Sequence, residues 1–218
     1  SIIGSGPVGL CLAKALSSLD LRICIIDQQN QSSLETPMDD GREVAITHLS
    51  KKILIELGTW DLIDQESISL IKEAKVVNGL SPYSLHFNHQ ETKEETLGYL
   101  VPNRLIKAAA YRAISKLNNV DCLTETIAKE FLITEDGVTL NLSNGDTITS
   151  DLLVAADGRL SGSRRQMGIP SEVKDFGKTV IVCKMEHEEP HHNVAFECFH
   201  YGRTLAVLPV TGNFSSIV

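Results

Sequence analysis

The hydrophobic pattern of the first 27 residues predicts a strand, a helix and a second strand. Ile2 and Ile3 form a short apolar run, and apolar residues then recur with helical spacing from Leu10 to Leu16. Residues 22–26 are again nearly continuous in hydrophobic character, which is typical of a strand buried in a parallel sheet. This order predicts a βαβ unit.

Two more helices are predicted from the spacing of apolar residues. Leu49, Ile53 and Leu57 recur at helical spacing, and Gly58 stands where the C-terminus of a helix favours glycine. A second helical pattern extends over residues 103–117.

Elsewhere apolar and polar positions alternate, as in strands with one exposed side. Residues 83–89 alternate in this way, and residues 131–148 alternate around an Asp-Gly and an Asn-Gly turn, which predicts a small antiparallel meander. The apolar run 152–156 predicts a buried strand that returns to the first sheet and ends at Asp157. From about Thr179 onward, renewed alternation predicts a second, antiparallel sheet.

These elements predict an α/β fold with two domains. The first is a Rossmann-like domain with a parallel sheet and the small meander, and we expect it to comprise residues 1–77 and 100–170. The second is a mostly antiparallel β-sheet domain, incomplete here, comprising residues 78–99 and 171–218. Because the chain begins inside a predicted strand and stops in an apolar run, we expect a fragment of a longer protein.

Composition and charge narrow the class of protein. The 218 residues are 42% hydrophobic and carry a net charge of -8, which argues against nucleic acid as a partner because phosphate binding needs clustered Lys and Arg. No apolar run approaches the roughly 20 residues that span a bilayer. We expect a cytoplasmic protein and leave open peripheral contact with the inner face of a membrane or with a biosynthetic complex. The pattern does not indicate an oligomeric state.

The cysteines indicate a reducing compartment. They are odd in number and widely spaced, so they predict buried thiols rather than a disulfide framework. They are Cys11, Cys24, Cys122, Cys183 and Cys198.

A glycine motif lies between the first strand and the first helix. Gly4, Gly6 and Gly9 fit G-x-G-x-x-G, and Asp27 ends the next strand. In such a motif the glycines permit a tight turn, close approach of a pyrophosphate and close packing of helix on strand, while the helix N-terminus offers N–H groups to the phosphates. Asp27 can accept the ribose hydroxyls. The motif predicts dinucleotide binding without separating NAD from FAD; a glycine-rich turn that binds nothing is the alternative.

Two further segments bear on the same ligand. Because ligands bind at the carboxyl edge of a parallel sheet, we expect Asp157 beside the glycine motif, where it can accept a cofactor hydroxyl while Gly158 leaves room. An ordinary Asp-Gly turn is the alternative. Arg42, in the polar loop after Asp27, can neutralise pyrophosphate charge or be a solvated loop arginine.

The motifs together resemble a known family. GSGPVG, the DGR that ends at Arg42, and ADGRLSGSRRQMGI resemble the FAD-dependent aromatic-ring hydroxylases, which are flavoprotein monooxygenases. The segments AITHLSKKILIELGTWDLI and EPHHNVAFECFHYGRTLAVLPV are similar to the ubiquinone-biosynthesis hydroxylases, which act on polyprenylated phenols. The similarity extends along nearly the whole chain.

The resemblance implies that the first domain binds FAD and that the second binds substrate. The glycine motif and Asp27, which replaces the Glu common in the family, would hold the ADP half of FAD. Arg42 would contact the pyrophosphate, Arg104 is a looser match for the adenosine side, and Asp157 with Gly158 would serve both FAD and NAD(P)H. The cofactor-binding set predicted in this way is Gly4, Gly6, Pro7, Val8, Gly9, Asp27, Gln28, Arg42, Arg104, Asp157 and Gly158.

The resemblance also implies a reaction, in which NAD(P)H reduces FAD and O2 then supplies an oxygen atom to the ring of a polyprenyl phenol. An FAD-linked reductase or dehydrogenase and a non-catalytic nucleotide-binding scaffold are the alternatives. The family's further flavin-binding motif, a Gly-Asp-Ala element, is not in this chain, so we expect the 218 residues to bind FAD weakly or not at all and not to turn over.

No catalytic residue and no metal site is predicted. The histidines near the end of the chain have irregular spacing that matches no usual zinc pattern, so we expect a solvated loop between two strands. These histidines are His187, His191, His192 and His200.

Overall fold

The computed structural model describes residues 1–200 and 202–218. In this part of the chain the helices are α1 (Pro7–Leu16), α2 (Gln31–Glu35), α3 (His48–Glu56), α4 (Asn103–Ile114) and α5 (Gly162–Gln166). The strands are β1 (Ile2–Ile3), β2 (Ile23–Ile26), β3 (Glu43–Ile46), β4 (Ser69–Ile71), β5 (Glu73–Asn78), β6 (Ser84–Asn88), β7 (Gly98–Pro102), β8 (Val120–Leu123), β9 (Ala128–Thr134), β10 (Gly137–Leu142), β11 (Thr147–Ser150), β12 (Val154–Ala155), β13 (Cys183–Glu186), β14 (Val194–His200), β15 (Arg203–Val210) and β16 (Phe214–Ile217). Short 3-10 helices lie at Trp60–Leu62, Gln65–Ser67 and His89–Glu91. Tyr201, which the alternating pattern extends to, lies outside the described residues.

The chain folds into two compact units. The first comprises Ser1–Met38, Leu57–Leu62 and Ile106–Lys174, and the second comprises Asp39–Glu56, Ile63–Leu105 and Asp175–Val218. These units differ from the predicted domains mainly at residues 39–56, 63–77 and 100–105. The segments belong to the second unit because β3 pairs with β7, β7 with β4, and β5 with β14.

The first unit contains the predicted parallel sheet, with strand order β12-β1-β2-β8. Ile2 lies opposite Val154 on one side and Ile25 on the other, and each pairing is parallel. Pro7 opens α1, where its missing N–H removes no helical hydrogen bond. The buried side chain of Leu10 packs α1 against the sheet, so the predicted βαβ unit is confirmed.

The core of this sheet is apolar, and burial of each large side chain contributes about 1.5–3 kcal/mol. Its buried members are Ile2, Leu10, Ala13, Ile23, Ile25, Leu34, Ala110, Tyr111 and Ile114. The predicted meander is also confirmed, with antiparallel strands in the order β11-β10-β9. Its residue Leu140 is fully buried in a second cluster that includes Ile26.

The predicted strand 152–156 is confirmed only in part. The run does return to the parallel sheet, because Val154 and Ala155 pair with β1. The prediction that it is buried was wrong, since β12 is the edge strand and Leu152 is 66% exposed.

The second unit contains the predicted, mostly antiparallel sheet. Six strands lie in the order β13-β16-β15-β14-β5-β6, and the pairing of β14 with β5 is parallel. The predicted strand at residues 83–89 is β6, an exposed edge strand. A further sheet has the order β3-β7-β4 and is antiparallel.

Helix α3 is oriented by polar contacts. His48 Nε2 donates to the Thr96 carbonyl at 2.8 Å, and Lys51 Nζ donates to the Tyr99 hydroxyl at 3.1 Å. Leu49 is 67% exposed although it belongs to the apolar pattern that predicts the helix, and the buried residue of the helix is Leu54. Among the helices of residues 1–200 and 202–218, none combines the length and hydropathy required to cross a membrane.

Candidate functional site

The glycine motif forms a tight turn between β1 and α1. Gly4 has φ of 106°, and its N–H donates to the Ile26 carbonyl at 2.9 Å. A Cβ on Gly4 would lie 2.4 Å from the Ala156 carbonyl oxygen and 3.1 Å from the Asp157 nitrogen. A side chain does not fit there, because the turn lies against the chain that leads from β12 into Asp157.

The other two glycines have different surroundings. A Cβ on Gly9 would lie 2.0 Å from the Gly4 carbonyl oxygen, so only glycine lets α1 pack this closely on the turn. A Cβ on Gly6 would meet no atom within 4 Å. Gly6 therefore leaves open space in front of the helix.

The N-terminus of α1 is suited to an anion. Gly6 is its N-cap residue and provides no side-chain cap, and no acidic residue stands in the first turn. The first N–H groups of a helix have no partner within the helix, and the helix dipole adds positive potential at this end. Pro7 has no N–H to offer, which leaves the N–H groups of Val8 and Gly9 for a ligand.

Asp27 ends β2 and joins two neighbouring turns. Its Oδ2 accepts a hydrogen bond from the Ser5 N–H at 2.7 Å, and its Oδ1 accepts one from the Gln29 N–H at 2.8 Å. Each carboxylate oxygen can accept more than one hydrogen bond, so both remain able to bind a hydroxyl group. The carboxylate is held in a fixed orientation beside the glycine motif.

Asp157 is held in a similar way after β12. Its Oδ1 accepts from the Ser161 hydroxyl at 2.5 Å, and its Oδ2 accepts from the Ser163 N–H at 3.0 Å. Burial raises the pKa of Asp157, but the hydrogen bonds from Ser161 and Ser163 outweigh it, and the pKa lies below its ordinary value of 3.8. Asp157 is therefore an ionised, oriented acceptor at neutral pH.

These elements surround one cavity of about 640 Å³, a size within the usual range for small-molecule sites. Its lining includes six of the predicted residues, namely Gly4, Gly6, Asp27, Gln28, Asp157 and Gly158. The cavity thus contains the carboxylates of Asp27 and Asp157, which can accept hydroxyl groups, and open space in front of the uncapped N-terminus of α1. That combination fits an adenosine diphosphate group.

Other residues of the cavity were missed by sequence reasoning. Thr126 and Ile127 line it from the chain that follows β8. The strand β8 was not predicted, because Asp121 interrupts its short apolar run. Its parallel pairing with β2 brings this loop to the same edge of the sheet.

The two predicted arginines lie in the second unit, and each has an acidic neighbour. Arg42 Nε donates to Asp40 Oδ2 at 2.8 Å, and Arg104 Nε lies 3.5 Å from Asp39 Oδ2. The hydrogen bond from Arg42 is the main cause that lowers the pKa of Asp40 to about 2. Asn103 also donates to Asp40, at 3.0 Å. A phosphate bound by Arg42 would therefore compete with Asp40 for the guanidinium group.

Glu43 is a buried carboxylate of β3. Its side chain is 5% exposed, and Lys184 Nζ of β13 lies 3.6 Å from its Oε1. Its Oε2 has no hydrogen-bond partner among the described residues. Burial raises the pKa of Glu43, and the charge of Lys184 opposes that rise. The pair joins β3 to β13 within the second unit.

Three of the histidines near the end of the chain lie between β13 and β14, as predicted, whereas His200 belongs to β14. Two of them, His187 and His191, have structural partners. His187 Nδ1 donates to the Glu189 carbonyl at 2.5 Å, and its Nε2 accepts from the Ser215 hydroxyl at 3.0 Å. His191 Nε2 donates to the Val210 carbonyl at 2.7 Å. Within residues 1–200 and 202–218, no three His, Cys, Asp or Glu side chains are grouped as metal ligands.

The cysteines are all free, but the prediction of buried thiols was wrong. Cys183 is exposed, and the other four are half-buried. Cys183 lies on β13, an edge strand of its sheet, where an apolar run need not be covered. Burial, and next the charge of Asp27, raises the pKa of Cys122 to about 11.

Comparison with known proteins supports the motif analysis. A family profile described as FAD binding domain matches residues 1–217. The chain is 42% identical over 221 residues to a protein named ubiquinone hydroxylase UbiM from Neisseria meningitidis, covering 100% of this chain and 48% of that protein. It is 36% identical over 217 residues to ubiquinone hydroxylase UbiL from Rhodospirillum rubrum, covering 100% of this chain and 50% of that protein. The chain therefore spans about half the length of these relatives.

Solved structures share the fold. PqsL from Pseudomonas aeruginosa, described as a probable FAD-dependent monooxygenase, matches with a TM-score of 0.81 at 16% identity, over 99% of this chain and 58% of that one. An HpxO variant from Klebsiella pneumoniae, complexed with FAD, matches with a TM-score of 0.69 at 18% identity, over 99% of this chain and 55% of that one. The predicted resemblance and fold class are confirmed.

Proposed function

Because this chain belongs to the FAD-binding domain family, we propose that it provides the FAD-binding residues of a monooxygenase that hydroxylates a polyprenylated phenol in ubiquinone biosynthesis. The relatives named ubiquinone hydroxylases support the substrate class. Since the chain spans about half of their length, the reaction and the substrate are proposals for the whole protein.

One observation carries the proposal. The turn at Gly4 lies directly against Ala156 and Asp157, so two motifs far apart in sequence meet at one sheet edge. Both line the cavity that also contains Asp27. A single dinucleotide can therefore contact the glycine motif and the Asp157 loop together.

We assign the following roles in this cavity and at the adjoining N-terminus of α1. The N–H groups of Val8 and Gly9 bind the diphosphate at the start of α1, and Gly6 provides the space for it. The carboxylates of Asp27 and Asp157 accept ribose and ribityl hydroxyls. FAD, when bound, supplies the redox chemistry with O2, while these side chains position it.

The remaining parts of the proposal concern the co-substrate and the surroundings. We propose NAD(P)H as the reductant, with Asp157 and Gly158 contacting it as well as FAD. From the family resemblance alone, we propose that Arg42 contacts the diphosphate and Arg104 the adenosine side; each has a neighbouring Asp. Contact with a membrane surface or a biosynthetic complex would bring the protein to its apolar substrate.

A chimera would test the reaction. Replacing the matching 48% of the Neisseria meningitidis relative with this chain gives a protein with both halves of the relative's length. We expect it to bind FAD, oxidise NAD(P)H and add one atom of ¹⁸O2 to a prenylated phenol, measured by mass spectrometry. The same chimera with Gly6→Leu should fold but lose its flavin. A flavin-loaded chimera that oxidises NAD(P)H without forming hydroxylated product would favour a reductase instead.

A further inference from the structure

Arg165 is a basic residue of the cavity that the motifs leave without a role. Three charged side chains line the cavity among its described residues, and they are Asp27, Asp157 and Arg165. The formal charge of the lining is therefore negative without Arg165. A diphosphate that enters would be repelled by two carboxylates unless a cation offsets them.

The two carboxylates are already engaged, whereas the arginine is not. Asp27 accepts hydrogen bonds from Ser5 of the glycine motif and from Gln29, and Asp157 accepts two from the segment that follows it. No hydrogen bond or ion pair of the Arg165 guanidinium occurs within the described part of the chain. Its donors are available to a ligand.

The backbone that carries Arg165 is fixed from both sides. The Ser161 hydroxyl, which Asp157 binds, accepts from the Arg164 N–H at 2.9 Å and caps α5. Gln166 Nε2 donates to the Lys129 carbonyl of β9 at 2.8 Å. Only the side chain of Arg165 must become ordered when it binds, which limits the entropic cost.

We propose that Arg165 binds the diphosphate of the adenine dinucleotide in this cavity. The inference rests on the proposed function and names a contact that the glycine motif does not provide. The planar guanidinium matches two phosphate oxygens at once, and its charge offsets Asp27 and Asp157. The diphosphate can belong to FAD or to NAD(P)H, which share the adenosine diphosphate group.

Calorimetric titration of the 218-residue chain tests this contact. ADP and adenosine are the probes, because they differ only in the diphosphate. Arg165→Gln should weaken ADP binding roughly 10-fold or more, the effect of losing a charged hydrogen bond, and leave adenosine binding unchanged. Arg165→Lys should retain part of the ADP affinity. Arg159→Gln, in the loop that precedes α5 and outside the cavity lining, is the control and should change neither affinity.

The outcomes separate this inference from the proposed function. If Gly6→Leu abolishes ADP binding while Arg165→Gln leaves it unchanged, the role of Arg165 is overturned and the cofactor site stands. If the unaltered chain does not bind ADP at millimolar concentration, both fail. An equal loss of ADP and adenosine affinity would show a structural role and overturn the inference. Titrations of the unaltered chain and of Arg165→Gln with FAD and with NADPH then identify which dinucleotide provides the diphosphate. A loss of affinity confined to one of them supports the contact for that ligand.

Discussion

Replacing Gly9 by alanine should destabilise the first unit by about 2 kcal/mol. The new Cβ would lie 2.0 Å from the Gly4 carbonyl oxygen, whereas real Cβ atoms stay at least 3.0 Å from other heavy atoms. The turn or the helix must therefore move by about 1 Å or more. Overpacking of this kind costs about 1–3 kcal/mol, and a backbone carbonyl cannot rotate away as a side chain can. The better helix propensity of alanine returns less than about 1 kcal/mol.

Urea unfolding followed by tryptophan fluorescence measures this effect. Trp60 is the single tryptophan of the chain, belongs to the first unit and is 5% exposed. With a denaturant slope of about 2 kcal/mol per molar urea, the midpoint should fall by about 1 M. Gly6→Ala is the control, because its Cβ meets no atom and only the weaker N-cap preference of alanine, about 0.5 kcal/mol, opposes it. Equal midpoints for Gly9→Ala and the unaltered chain would refute the packing argument.

Three further predictions concern ionisable groups. Because folding lowers the pKa of Asp157, its ionised form stabilises the protein above the unfolded pKa near 4. Asp157→Asn should therefore lower the free energy of unfolding by about 1 kcal/mol at pH 7, and this loss should shrink as the pH falls below 4. Urea unfolding at each pH measures the loss. Lys184→Met leaves the Glu43 carboxylate buried and unpaired, so it should lower stability at pH 7 by about 1–3 kcal/mol. Because burial raises the pKa of Glu43, the loss should become smaller as the pH is lowered and the carboxylate takes up a proton. Circular dichroism during unfolding measures the loss at each pH, and a loss independent of pH would contradict the pairing. Iodoacetamide at pH 8 should label Cys183 well before Cys122, as peptide mass spectrometry would detect, and the reverse order would contradict the described burial.

Local patterns made the parallel sheet and its ligand turns predictable. The glycine spacing and the apolar runs at Ile2 and Ile25 lie within one βαβ unit, so short-range sequence information suffices. The position of Asp157 followed from a general rule about the carboxyl edge of parallel sheets, which β12 obeys. The exposure of β12 could not be predicted in this way, because whether a strand lies at the edge of a sheet depends on the order of all its strands.

Contacts between distant segments could not be predicted from one sequence. The parallel pairing of β14 with β5 and the contact of Glu43 with Lys184 depend on tertiary register, for which the alternation of side chains gives no signal. Likewise, the missed strand β8 contains the charged Asp121 beside Cys122 and has no clear period. The pairing of Arg42 with Asp40, two residues away, was within reach of sequence reasoning and changes how that arginine can bind phosphate.

The central claim is that the glycine motif and the Asp157 loop bind one FAD molecule at the same sheet edge. Amide chemical shifts of the ¹⁵N-labelled chain during titration with FAD test it most directly. We predict weak binding in which the signals of Gly6, Gly9, Asp157 and Gly158 shift together with a single dissociation constant. Shifts at the glycine motif with Asp157 and Gly158 unmoved would contradict the account.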